Sequence, residues 1–164
     1  MRDSEKRLNG SCLCKAVSIS IDSNCNDLGA YHYPKCQTWS GSAFMEVECG
    51  TDVIFEGSNN IATFESSSLA ERGFCRICGT HLFIKDRRSG EYGVPSGLYG
   101  DNSNFKFNRQ LFFDKKLTFI VLKMKQSISP ANTFISTFQK LRNRTGFSGR
   151  YWPRLCENSD HVLV

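Results

Sequence analysis

No stretch of this chain approaches the roughly 20 consecutive apolar residues that a membrane-spanning helix requires. The longest apolar candidate, Leu117–Leu122, has the length of a buried strand. Residues Met1–Gly10 are polar and charged and hold nothing like the apolar segment of a secretory signal, so a cytosolic location is expected and no membrane partner. Proline is scarce, 4 residues against 13 glycines and 13 phenylalanines, which points to tight turns around an aromatic core. There is no internal repeat. The charge excess is small, 21 Lys and Arg against 16 Asp and Glu, a net +5. That can draw an anionic ligand, but it does not make a nucleic-acid surface, and nucleic acid is not an expected partner.

What remains fits one globular domain. A chain of 164 residues with 40% hydrophobic content can bury a real core and still carry an appendage. Val17–Ile21 alternates apolar and polar side chains, the signature of a half-buried strand. Ala43–Val47, Val53–Phe55, Ile61–Phe64 and His81–Ile84 are further strand candidates, with Cys49-Gly50-Thr51-Asp52 as a turn after the first of them. Gln110–Phe113 and Leu117–Leu122 flank Asp114-Lys115-Lys116, short enough to predict a hairpin. Ser89–Gly100 reads as an irregular surface loop. The architecture predicted is mainly β.

The character changes near Ser129. Ser129 and Pro130 suit an N-cap and a first helical residue, and Ala131, Phe134, Ile135, Phe138 and Leu141 fall on one helical face. Lys140, Arg142 and Arg144 favour the helix C-terminus, and Gly146 follows as a stop. The expected division is a domain over residues 8–125 and a C-terminal helix with a basic tail over 126–164. The tail reads as a docking helix with a frayed end, or else as a basic arm for a partner.

The 8 cysteines carry the chemistry. In a reducing compartment, clustered cysteines mean metal binding or redox work rather than disulfides. Cys12-Leu13-Cys14 precedes a strand, and Cys75-Arg76-Ile77-Cys78 is followed by Gly79. Four thiolates close a tetrahedral structural site for Zn²⁺. A Cys-x-Cys pair needs a bend to converge, and Gly10 and Ser11 are placed to supply one. The competing reading, a redox Cys-x-x-Cys beside two core thiols, lacks the βαβ setting such motifs use. Cys25, Cys49 and Cys156 have no ligand-like spacing and read as ordinary thiols.

Three blocks resemble the family containing glutathione-dependent formaldehyde-activating enzyme and centromere protein V. They are Gly10-Ser11-Cys12-Leu13-Cys14-Lys15-Ala16-Val17, Cys36-Gln37-Thr38-Trp39-Ser40-Gly41-Ser42-Ala43-Phe44, and Glu71-Arg72-Gly73-Phe74-Cys75-Arg76-Ile77-Cys78-Gly79-Thr80-His81-Leu82. Their order and spacing agree with that family over roughly residues 8–125. The resemblance implies packed antiparallel sheets, a β-tent, stapled by a structural zinc. It also implies a second zinc held by a Cys-x-Cys-x-x-Cys middle motif and associated with carbon–sulfur lyase chemistry on a thiol–aldehyde adduct such as S-hydroxymethylglutathione.

This chain departs from that pattern at the middle motif. Tyr31 and Tyr33 stand at the first two cysteine positions, and Cys36 alone remains. A phenol with a pKa near 10 is a poor zinc ligand beside a thiolate. His32, between the two tyrosines, should face away from them on an extended segment and be solvent-facing or hydrogen-bonded. One structural zinc is therefore expected, on Cys12, Cys14, Cys75 and Cys78, and not a second. Two functions follow: a zinc-stabilised module whose lyase centre has degenerated and which binds glutathione or another small thiol beside Tyr31, Tyr33, Trp39 and Cys36, or an active lyase with a rebuilt site. In the second case Cys36 is the catalytic candidate, acting as a nucleophile with Lys35 as the cation that lowers its pKa. A third reading, nucleic-acid binding through the basic tail, rests on five basic side chains. The sequence singles out no protein partner.

Overall fold

The computed structural model describes residues 6–100, 104–122 and 127–129. The expected C-terminal helix, Cys156 and most of the basic tail lie outside the described residues. Among those described, the architecture is mainly β with one short α-helix, and no helix is long and apolar enough to cross a membrane. The chain divides into two units. One takes the residues up to Leu28 with Glu46–Lys106, and the other takes Gly29–Met45 with the residues from Phe107 onward.

In the first unit, β1 (Arg7–Ser11), β2 (Ser18–Asp22) and β5 (Val53–Glu56) form an antiparallel three-stranded sheet with β2 in the centre. The alternation seen in the sequence works as expected: Ile19 and Ile21 are fully buried while Ser18 and Ser20 face outward. A second set of strands runs in the order β4 (Phe44–Glu48), β9 (Tyr92–Pro95), β8 (His81–Asp86), β7 (Ala70–Cys75) and β6 (Ile61–Glu65), all antiparallel. Val17, Ile19, Ile21, Val47, Leu82 and Val94, all without solvent exposure except for traces, fill the core with Cys12 and Cys75. Each such side chain contributes about 1.5–3 kcal/mol of burial free energy. Phe55, Phe83 and Tyr92 stack against one another with centroids 5.2–5.4 Å apart, the aromatic cluster that the phenylalanine content implied.

The second unit holds residues of β3 (Asp27–Tyr31), the helix α1 (Pro34–Ser40), β10 (Lys106–Leu111) and β11 (Ser127–Ser129), with β10 between β3 and β11 and parallel to β11. The helix starts on Pro34, whose fixed φ suits the first turn, and stops at Gly41, which takes φ +76° and donates its N–H to the Gln37 carbonyl at 2.7 Å.

Two expectations fail here. Leu117–Leu122 is a turn, with Phe119 and Val121 about three-quarters exposed, and the predicted hairpin partner Gln110–Phe113 is the end of β10 running into a 3-10 turn at Phe113–Lys115. The apolar run is broken by Leu117–Ile120 closing a turn on itself, the Ile120 N–H reaching the Leu117 carbonyl at 3.0 Å. The supposed loop Ser89–Gly100 contains β9, whose Gly93 lies against the Glu46 carboxylate where a Cβ would not fit. Glycine content there reflects close packing rather than irregularity.

Candidate metal centre and the middle motif

The two cysteine pairs arrive from distant parts of the first unit and converge. The four sulfurs of Cys12, Cys14, Cys75 and Cys78 all lie within 4.8 Å of one another. Cys12 and Cys14 sulfurs are 3.6 Å apart, and Cys14 and Cys75 sulfurs 3.7 Å apart. Zinc–sulfur bonds of about 2.3 Å in a regular tetrahedron set the sulfurs about 3.8 Å apart, so the donor set and its spacing fit a thiophilic dication of that size. Cys12 and Cys75 are fully buried in the core, while Cys14 is exposed and Cys78 partly so.

Each pair sits in a hydrogen-bonded knuckle. At the first, the Lys15 N–H donates to the Cys12 carbonyl at 3.0 Å, and Lys15 adopts φ +64°, which turns the chain back so that Val17 N–H can donate to the Cys12 sulfur at 3.3 Å. The bend that lets a Cys-x-Cys pair converge is therefore made at Lys15. Gly10 and Ser11, expected to supply it, continue β1 in regular register with Ile19 and Ser18. Gly10 is required for a different reason: a Cβ there would meet the Leu98 carbonyl at 2.8 Å and the Tyr99 ring at 2.9 Å. At the second knuckle, Gly79 takes φ +72° and donates to the Cys75 carbonyl at 2.8 Å, while the Cys75 N–H donates to the Thr80 carbonyl at 2.9 Å.

Thr80 is a residue that sequence reasoning missed. Its hydroxyl lies 3.1 Å from the Cys78 sulfur and accepts the Leu13 N–H at 3.2 Å, so one side chain ties the two knuckles together. The bond from Thr80, with its backbone N–H, brings the Cys78 thiol down to about 5. At Cys14 the Ala16 N–H favours the thiolate, but desolvation and the neighbouring sulfurs outweigh it and push the pKa up to about 12. A cluster in which one thiol ionises readily and its neighbour resists is one that a dication would complete, since a metal stabilises all four thiolates together.

In the second unit the middle motif is built differently from the extended segment expected. Tyr31 ends β3, and Tyr33 is the residue before α1. Cys36 lies on the first turn of that helix, with its N–H bonded to the Tyr33 carbonyl at 2.9 Å. Tyr31, Tyr33 and Cys36 are all buried, and the Tyr33 ring packs against Phe112 at 5.3 Å. Lys35 and Cys36 are adjacent on a helix rather than on a strand. The Pro34–Gly41 spacing carried the signal for that helix.

His32 is hydrogen-bonded, as one of its expected states had it, but it is fully buried and not solvent-facing. Its backbone N–H donates to the Leu111 carbonyl at 3.0 Å, and Nε2 lies 2.9 Å from Gln110 Oε1. With an amide oxygen as acceptor, Nε2 carries the proton. Nδ1 is buried with no hydrogen-bond partner among the described residues. Burial lowers the His32 pKa, the bond to Gln110 opposes this, and Lys116 adds to the lowering. Gln37, in the middle motif, donates its amide to the His32 carbonyl and to the Lys115 carbonyl, tying α1 to the 3-10 turn. Among the described residues, the four-cysteine cluster is the group of three or more His, Cys, Asp and Glu side chains with converging ligand atoms; Cys36 and His32 are not part of such a group. Of the three cysteine positions in the middle motif that the family resemblance implied, this chain keeps Cys36.

Mainly β architecture with a four-cysteine cluster suited to a metal ion defines the class of this protein. The sequence profile of the glutathione-dependent formaldehyde-activating enzyme family matches residues 7–115, and the chain belongs to that family. An uncharacterized lyase of Schizosaccharomyces pombe is 32% identical over 108 residues, covering 65% of this chain and 79% of that protein. A crystal structure of a Rhodobacter sphaeroides protein, solved in a structural genomics programme, superposes with a TM-score of 0.50 at 23% identity. It covers 57% of this chain and 89% of its own, and supports the fold.

Proposed function

We propose that this protein is a zinc-stabilised member of the family in which the lyase centre has degenerated, leaving a module that binds a small thiol such as glutathione. The observation that carries the reading is the pair Tyr31 and Tyr33. Two buried phenols stand where the family's middle motif has thiolates, and Cys36 is left as a single sulfur. One thiolate does not hold a zinc with an open coordination position, which needs three protein ligands. Zn²⁺ is the ion proposed for Cys12, Cys14, Cys75 and Cys78, because an all-thiolate tetrahedron with no open position is a structural zinc site. The domain is placed at residues 8–125, with 126–164 as a helix and basic tail. The setting proposed is the cytosol, where clustered cysteines serve as metal ligands rather than as disulfides.

The alternative is an active carbon–sulfur lyase acting on a thiol–aldehyde adduct such as S-hydroxymethylglutathione. The name of the S. pombe relative favours it, and Cys36 would then be its catalytic residue. Zinc content and turnover separate the two. The proposal expects about one zinc per chain, no turnover of the adduct, and a gain of both a second zinc and turnover in the double variant Tyr31→Cys, Tyr33→Cys. Turnover by the natural protein that Cys36→Ala abolishes would overturn it in favour of the lyase.

A further inference from the structure

The outer face of the three-stranded sheet floors a cleft of about 720 Å³ in the first unit, which shares no lining residue with the middle motif. That volume is in the range of small-molecule sites. Strand register builds the floor in two rows. Ser11, Ser18 and Glu56 stand side by side across β1, β2 and β5, and Asn9, Ser20 and Ile54 form the next row. Residues opposite one another in an antiparallel pair project to the same side. That side is the outward one, because Ile19 and Ile21 occupy the core side of β2. Leu98–Gly100 forms the wall, with the Leu98 carbonyl set against Gly10.

Two charged side chains line the cleft, at opposite ends of the first row. Lys15 stands at one end, its Nζ donating to Ser11 Oγ at 2.9 Å. Glu56 stands at the other, exposed on the edge strand β5. Two strand spacings of about 4.8 Å separate the Ser11 and Glu56 backbones by about 10 Å. The Ser20 oxygen accepts from Arg7 Nε at 3.1 Å, as Ser11 does from Lys15, so each hydroxyl keeps its O–H to donate to a ligand. Arg7 is matched by Asp52 at 3.0 Å and leaves the balance of Lys15 and Glu56 undisturbed.

We propose that this cleft binds a short peptide with free termini, about three residues long, its carboxylate on Lys15 and Ser11 and its ammonium on Glu56. Length and charge order both follow from the floor. An extended chain rises about 3.3–3.6 Å per residue, so three residues cover the distance between the two charged ends. The peptide groups between the termini meet Ser18 and Asn9, whose side chains both donate and accept. Ile54, about half exposed in the second row, gives a small apolar side chain a surface to rest on. A simple anion would face the Glu56 carboxylate, and a simple cation would face the Lys15 ammonium. The site is independent of the small-thiol reading, because nothing in it calls for a sulfur.

Trialanine, which carries both termini and no thiol, is the probe, added to the full chain as purified and followed by backbone amide NMR shifts. The proposal expects saturable shifts at Ser11, Ser18 and Glu56 with a Kd of about 1 mM, as suits a few exposed polar contacts. Acetylating the peptide's amine or amidating its carboxylate should each weaken binding about three- to fivefold, the worth of one exposed ion pair. Glu56→Gln should weaken the free peptide by the same factor and leave the acetylated one unchanged. Lys15→Met should do likewise for the amidated one, with zinc per chain read alongside to show the knuckle intact. The blocked peptides on the wild type decide the matter alone if a variant loses its fold or its metal. Equal affinity for the free and the doubly blocked peptide, shifts at Cys36, Gln37 and Gly41 instead, or no saturable shift up to about 20 mM would overturn the proposal.

Discussion

Replacing Cys75 by serine removes one of four thiolates from the centre of the first unit and should nearly exhaust its stability. Structural zinc sites in small peptides contribute about 10–16 kcal/mol of apparent binding free energy, so one ligand of four corresponds to about 2.5–4 kcal/mol. Cys75 is fully buried among core residues, and a serine hydroxyl left there without its metal costs about 1–3 kcal/mol more. The sum, about 3.5–7 kcal/mol, stands against a total folding free energy of about 5–15 kcal/mol for an ordinary domain. The expected outcome is loss of soluble, cooperatively folding protein, or a melting temperature lowered by about 7–28 °C. Circular dichroism melts on purified protein, with zinc per chain by elemental mass spectrometry on the same sample, provide the readout. Cys14→Ser is the companion variant. Cys14 is exposed, so its loss removes a thiolate without disturbing packing, and a fall in both zinc content and melting temperature there assigns the effect to the metal. A soluble Cys75→Ser protein with unchanged melting would refute the structural role of the cluster.

Burial of His32 as the neutral ring makes a prediction about acid. Its folded pKa lies below the ordinary 6.5, so below about pH 6.5 the unfolded chain binds a proton that the folded chain does not, and stability falls as pH drops; above that it is unaffected. The limiting slope is about 1.4 kcal/mol per pH unit. His81, lowered by desolvation and by Arg72, acts in the same direction. Melting temperatures from pH 8 to pH 5 should decline in the wild type and decline less steeply in His32→Gln, and parallel slopes would contradict the assignment. Gly57→Ala should lose about 2–4 kcal/mol, because φ is +73° and a Cβ would strike the Ala16 carbonyl beside the first knuckle. Urea denaturation measures that loss, and an unchanged midpoint would refute it.

How far the sequence could be read depended on which physical signal each element carried. Val17–Ile21 was legible because one face is buried, which writes itself as alternation, and His81–Ile84 because both faces are, which writes itself as an apolar run. β1, with Asn9 and Ser11 on its outer face, and β7, with Gly73 left open so that the Phe83 ring can lie over it, carry no such pattern, so their strand character was hidden. Leu117–Leu122 misled for the converse reason: apolar composition was present, but Phe119 and Val121 are exposed, so the run is not a core strand. The metal cluster was readable because thiolate pairs have few other uses at that spacing. Thr80, Gln37 and Gln110 were not, because an ordinary polar residue acquires its role only from what the fold sets beside it.

The same distinction bears on what holds each region internally. In the first unit, Cys12–Val17 and Cys75–Thr80 are short turns whose own hydrogen bonds close only locally, and the sulfur cluster with the Thr80 bridge joins them. In the second, the positions of the family's middle motif are occupied by rings: Tyr33 packs on Phe112, His32 meets Phe113 edge-on at 6.3 Å, and Gln37 ties α1 to the turn at Lys115. If the centre is degenerate as proposed, packing and hydrogen bonds hold this segment without an ion. Chelation should therefore speed amide hydrogen exchange at Lys15, Cys75 and Gly79 while leaving Cys36, Gln37 and Gly41 protected, since the latter donate to carbonyls within the α1 turn and need no ion. Equal loss of protection at both sets on chelation would mean that the middle motif depends on metal after all, and the case for a degenerate centre would fall with it.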